Sequence, residues 1–381
     1  MEQVVLWIAI FLSLWSLIAI IYKVLNLKKY GFLLKPFLLI ARSKSLAKKL
    51  ETVGSSKSRI WSYVSNLSLF VSGGLMFFAF YFLIISLINR IMTSQVGLYP
   101  VVPGVTIGWE AVPYFILAAS ITILVHETFH AITFGSEKVP TKSFGVFLIA
   151  ILPGGFVEAD EEAFKSIRPL SRMRIYASGS FSNFLVFLLG VLLTLATISP
   201  TPYGVLVLDT FEDSPAHRVL KSWDVILSIN GHEVRGIRDL EEVLGSIKPG
   251  ESVEVAVLRD REVMRFLITT APHPRNVSRS YLGVMILPFD YHPPTIPWLS
   301  GEAYLHWILM LDWLKIVSLS VALINMLPIP LLDGSGFLRS LLESLLKDRK
   351  AVNVLMNFLG AFSLFLLLAN IIPSIEIQLV P

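Results

Sequence analysis

Residues Ala111 to Phe134 form an apolar run of 24 residues in which Glu127 is the only formally charged side chain. As a helix, such a run is long enough to cross a hydrocarbon core about 30 Å thick. A carboxylate at that depth costs roughly 3 kcal/mol unless it is partnered, so it marks a working site by default. Glu127 stands inside His126-Glu127-Thr128-Phe129-His130. At about 100° per residue, Glu127 falls about 100° and His130 about 40° from His126, so all three share one face. Two imidazoles at this spacing can hold one zinc ion, and the adjacent carboxylate can take a proton from water. The plainer alternative is a membrane helix whose polar residues only bond to neighbouring helices. The lone carboxylate argues against it.

The composition agrees with a membrane protein. The chain is 54% hydrophobic and 16% charged, with a mean hydropathy of +0.68, where a soluble chain carries about 25% charged residues. Between Lys23 and Arg59 there are ten Lys/Arg against Glu51 alone. Such a basic segment between apolar spans places itself on the cytoplasmic side, which is a simpler cause than nucleic-acid binding. There is no cysteine, so disulfides and thiolate ligands are excluded and any zinc must use His and carboxylate. Met1-Glu2-Gln3 lacks a basic leader, and the first span is expected to be retained with its N-terminus outside.

The expected fold is a polytopic α-helical membrane protein of about six spans, with a membrane-associated β-hairpin and a small β-rich soluble domain. The spans are Val4–Tyr22, Leu67–Ile88, Ala111–Phe134, Ile175–Ile198, Leu305–Leu327 and Val352–Ile372. Tyr30 to Ile40 is too short to cross and is expected at the interface. Ser143 to Val157 is uncharged but broken by Gly145 and Pro153-Gly154-Gly155. It reads as a β-hairpin dipping into the protein, with Gly-Gly at or near its turn.

Residues 203–272 change to strand alternation, with Asn230-Gly231 as a hairpin signal, and this domain is assigned to the outside. The organisation is therefore 1–66, first span and basic segment; 67–110, second span and outer loop; and 111–199, first part of the core. Residues 200–300 are the β-rich domain and linker, 301–340 the second part of the core, and 341–381 the last loop and span.

Zinc held by two histidines needs a third protein ligand. His217, His232, His273, His292 and His306 all fall toward the outer side. Asp333 lies at the cytoplasmic end of its span, level with His126 and His130. The plainer role for it is a helix-end carboxylate facing the cytosol. Pro328 and Pro330 preclude a regular helix before it, and irregular backbone at that depth is tolerated only inside protein or a wet cavity. Asn183 and Asn325 could donate to a developing oxyanion or simply bond between helices.

These residues carry a resemblance. His126-Glu127-Thr128-Phe129-His130, together with Asn325-x-x-Pro328-x-Pro330-x-Leu332-Asp333-Gly334, is similar to the site-2 protease family of intramembrane zinc metalloproteases. Ala177-x-Gly179-x-x-x-Asn183 and Leu152-Pro153-Gly154-Gly155-Phe156-Val157 extend the match. The inserted domain resembles a PDZ domain through Asp213-Ser214-Pro215-Ala216 and Asp224-Val225-Ile226-Leu227-Ser228-Ile229-Asn230-Gly231.

The resemblance implies cleavage of a transmembrane segment of another protein. One zinc per chain would be held by His126, His130 and Asp333. Glu127 would act as base and proton donor, with Asn183 and Asn325 assisting the tetrahedral intermediate. The hairpin would offer an edge strand to the unwound substrate, and the PDZ-like domain would bind substrate or a partner. The zinc site is expected near the cytoplasmic side. Departures are Ser180 where the family often has Pro, Ser335 where it has Gly, and Trp223 where a PDZ domain usually has Gly. The competing readings are a catalytically silent scaffold and a membrane-anchored protease of soluble peptides.

Overall fold

The computed structural model describes residues 2–93, 98, 100–101, 106–274 and 276–379. In chain order these form α1 (Glu2–Val24), β1 (Phe32–Lys35), β2 (Leu38–Ser43), α2 (Lys44–Ser56), α3 (Ser58–Thr93), α4 (Val112–Ser136), β3 (Thr141–Ile149), β4 (Leu152–Ala159), α5 (Glu161–Ser166) and α6 (Pro169–Thr197). Then come β5 (Val205–Thr210), β6 (Val225–Ile229), β7 (His232–Glu233), α7 (Ile237–Ser246), β8 (Ser252–Arg259), β9 (Glu262–Thr269), β10 (Ala271–His273), β11 (Asn276–Tyr281) and β12 (Val284–Ile286). The chain closes with α8 (Gly301–Asn325), α9 (Asp333–Leu345) and α10 (Arg349–Leu379).

Among the described residues, five helices are long and apolar enough to cross a membrane: α3, α4 with the turn before it, α6, α8 and α10 up to Ile372. The apolar part of α1, Ala9–Val24, is shorter. Local chemistry sets the helix starts. Pro113 opens α4 and Pro169 opens α6, where a missing N–H costs nothing. Ser43 caps α2 by accepting from Leu46 N–H, and Asp160 caps α5 by accepting from Ala163 N–H. The chain divides into two compact units, residues 1–190 with 309–381, and residues 191–308.

In the first unit, α2 lies against α4 through Gly54 and Gly135. A β-carbon at either position would collide with the other helix's backbone. Glu51 of α2 then accepts from both the N–H and the hydroxyl of Thr141, each at 2.9 Å, holding the start of β3. Burial pushes the Glu51 carboxyl up, but Lys48 and the Thr141 donors outweigh it and leave it below its ordinary value. Ser72 of α3 donates to Ala177 O of α6, joining the second span to the core.

β1 to β4 form one antiparallel sheet in that order. Two expected elements take a definite form here. Within Tyr30–Ile40, expected at the interface, Phe32–Ile40 supplies β1 and part of β2, and β2 pairs with β3. The β3–β4 turn is Ala150-Ile151, and Gly154-Gly155, expected at or near it, lie just past it inside β4 opposite Phe147 and Val146. Ala150 takes the left-handed φ of +54° there. Its N–H donates to Phe37 O and its carbonyl accepts from Trp15 Nε1, tying both turns to α1. Since β3 is interior, β4 is one edge strand of this sheet and β1 the other.

The second unit is a β-rich domain with a core of Val205, Val207, Ile226, Ile229, Val253, Val255 and Val257 around Leu240 of α7. Its main sheet runs β12-β5-β6-β8-β9, with β7 on β6. Asn230 and Gly231 both take positive φ in the β6–β7 turn, as Asn-Gly in a two-residue hairpin favours. Buried Asp224 pairs with Arg259 at 2.6 Å and pushes the guanidinium pKa up. Trp223 keeps φ at +76°, the conformation glycine would supply at that position. The domain runs past residue 272, because β12 completes the sheet.

Candidate active site

His126 and His130 lie one turn apart on α4, and Asp333 is the first residue of α9. His126 Nε2 and His130 Nε2 are 3.1 Å apart. Asp333 Oδ2 stands 3.2 Å from the first and 3.1 Å from the second. Both imidazoles are buried.

The backs of the rings decide what the fronts can do. His130 Nδ1 is 2.9 Å from Ile175 O, a carbonyl that can only accept, so the proton sits on Nδ1 and the Nε2 lone pair faces the cluster. His126 Nδ1 is 3.0 Å from the amide of buried Asn183. Asn183 Oδ1 lacks a partner as placed, and turning the amide lets it accept the Nδ1 proton. Both Nε2 lone pairs and a carboxylate oxygen then converge within 3.2 Å, an arrangement that could hold a cation.

The donor set fits zinc. Ligand atoms about 2.0 Å from a tetrahedral centre lie about 3.3 Å apart, close to the observed triangle. Gly179 of α6 packs against both imidazoles, where a β-carbon would collide.

These residues face a cavity of about 430 Å³, also lined by Glu127, Gly155, Phe156, Val157, Asn325 and Leu331. Glu127 therefore shares the cavity with the cluster. Asn325, the last residue of α8, reaches it too. Asn183 does not line it and sits behind His126. The proline-broken turn after α8 brings Asp333 back: Ile329 N–H donates to Leu327 O and Leu332 N–H to Ile329 O. Gly334 follows against the Met326 carbonyl, where a β-carbon would collide. Sequence reasoning missed Ile175, Tyr176 and Leu331. The first acts through a carbonyl that every residue carries, and the others have no motif that marks a cavity wall.

The sequence profile described as peptidase family M50 matches residues 114–367, two thirds of the chain and all of the site just described. The chain belongs to peptidase family M50. It is 29% identical over 353 residues to an uncharacterized protein of Methanocaldococcus jannaschii, covering 92% of this chain and 88% of that one. A membrane-bound transcription factor site-2 protease homolog of Arabidopsis thaliana is 29% identical over 182 residues, 46% of this chain and 32% of the relative. A probable periplasmic serine endoprotease, DegP-like, of Ectopseudomonas mendocina is 42% identical over 74 residues, 19% of this chain and 16% of its own length. Part of the chain is also similar to the solved PDZ domain of an SdrC-like protein from Listeria monocytogenes. That match has 22% identity and a TM-score of 0.21, over 23% of this chain and 90% of that structure. As an M50 peptidase with five apolar membrane-length helices among the described residues, the protein is an integral membrane protease whose second unit is β-rich.

Proposed function

We propose that this M50 peptidase is a zinc-dependent intramembrane endopeptidase that cuts transmembrane segments of other proteins. The observation that carries the reading is that His126, His130, Asp333 and Glu127 share one cavity with Gly155, Phe156 and Val157 of the edge strand β4. His126, His130 and Asp333 would hold one zinc per chain. When bound, zinc supplies a Lewis acid that polarises water and the scissile carbonyl.

The chain's own residues do the rest. Glu127 takes the proton of the attacking water as the oxygen adds to the carbonyl carbon. It returns that proton to the amide nitrogen as the C–N bond breaks, leaving a carboxyl and an amine. Asn325, at the cavity wall, would donate to the developing oxyanion. Asn183 would act through His126, holding its Nδ1 proton. A transmembrane helix hides its carbonyls in i to i−4 bonds, and each one freed in lipid costs several kcal/mol. The edge of β4 can replace those bonds by strand addition.

The PDZ-like domain would bind substrate or a partner. The N-terminus and that domain would lie outside, with the site toward the cytoplasm. The test is purified protein incubated with a panel of single-span substrates at matched zinc loading, with Glu127→Gln as the inactive control. Cuts inside the apolar segment are expected. Cleavage of soluble peptides alone would overturn the reading.

A further inference from the structure

Leu331 occupies a position that its own conformation disfavours. Ile329, Pro330, Leu331 and Leu332 form a turn closed by the bond from Leu332 N–H to Ile329 O at 3.1 Å. Proline stands second and Leu331 third, with φ at +77°. That is the pattern of a type II turn, whose third position calls for glycine. A leucine there is strained. Strain of this kind is ordinarily offset by packing, yet the Leu331 side chain is fully exposed, at 104% of its reference area. No described residue covers it.

The backbone that carries it is held firmly. The loop is restricted by Pro328 and Pro330 and by the bond from Ile329 N–H to Leu327 O at 2.8 Å. Within this stiff frame Leu331 lines the cavity of His126, Glu127, His130 and Asp333, which Gly155 and Phe156 of β4 also line. Leu331 is two residues from Asp333, so their Cα atoms are at most about 7 Å apart. That is about two residues of an extended chain.

We propose that Leu331 is a specificity-determining residue. It packs on the apolar side chain of the substrate residue within two positions of the scissile bond, while the substrate backbone lies extended along β4. This rests on the protease reading above. The exposed, strained side chain is then completed by the substrate rather than by the fold.

The test uses the full-length protein at matched zinc content and single-span substrates carrying Ala, Leu or Phe at each position beside the cut. Leu331→Gly relieves the disfavoured φ, so the melting temperature should not fall and zinc content should not change. The preference for Leu over Ala in kcat/KM should drop roughly tenfold, mainly through KM. Leu331→Trp should shift preference toward Ala.

A second readout does not need turnover. The chain has no native cysteine, so Leu331→Cys in a Glu127→Gln background can be paired with single-cysteine substrates. Disulfides should concentrate at one or two positions next to the cut. An unchanged preference in Leu331→Gly with cleavage intact overturns the proposal, as do disulfides no denser near the cut, which would mean the side chain meets only lipid. If the zinc-loaded parent cuts nothing while disulfides still concentrate at one site, the protease reading fails and the contact stands. If neither occurs, both fall.

Discussion

Gly155 of β4 faces Glu127 of α4 so closely that a β-carbon on Gly155 would stand 2.6 Å from Glu127 Cγ and 2.9 Å from Ile123 Cγ2. The strand that would receive substrate therefore rests against the side chain whose carboxylate would move the proton, and a β-carbon there would force that side chain or Ile123 to shift. Gly155→Ala should displace Glu127 by a fraction of an ångström to one ångström. Turnover should fall on the order of 100-fold, with zinc content unchanged, measured as kcat beside metal analysis of the same preparation. A fully active Gly155→Ala would mean that Glu127 has room to move.

Metal loading separates ligands from base. One zinc per chain is expected, and Asp333→Ala should weaken binding severely, since three donors fall to two. Glu127→Gln should retain the metal and lose on the order of 1,000-fold in rate, the usual scale for a general base. Equal zinc loss in both variants, read by elemental analysis after dialysis, would remove the distinction.

Asn183 is expected to act on the metal site through His126. Asn183→Leu removes the acceptor for the Nδ1 proton and should lower zinc affinity by roughly 10- to 100-fold, the scale for partners behind a ligating histidine. Asn183→Asp, which still accepts, should retain most of it. A normal zinc affinity in Asn183→Leu with slow turnover would instead return Asn183 to a role in the oxyanion site.

Sidedness follows from the ten bases against one acid between Lys23 and Arg59. The cysteine-free chain makes labelling clean. Single cysteines at exposed Ser55 and Ser344 should react only after permeabilisation, and one at Ser246 of α7 from outside. A cysteine at Ser94 belongs with Ser246 by the same rule, although that position lies outside the described residues. Ser246 reacting from the same side as Ser55 would reverse the assignment.

What the sequence determined by itself is what is written in short range: length, period and local spacing. The apolar runs declared their helices because a span must satisfy every backbone bond within itself. His126 and His130 shared a face because four residues are about one helical turn, and Asn230-Gly231 declared its turn through the φ it tolerates. Tertiary structure decided the rest. That Tyr30 to Ile40 joins the hairpin sheet depends on pairing β2 with β3, a contact between segments more than 100 residues apart with no local signature. The hairpin turns at Ala150 and not at Gly154-Gly155, because those glycines are needed in β4. Gly155 clears Glu127, and a β-carbon on Gly154 would strike the Phe147 ring. Asn183 turned out to back His126, and Leu331 to face the cavity, only once α6 and the proline-broken loop after α8 were packed against α4. A glycine's purpose or an exposed leucine's direction is set by what lies opposite, and what lies opposite is chosen by the fold.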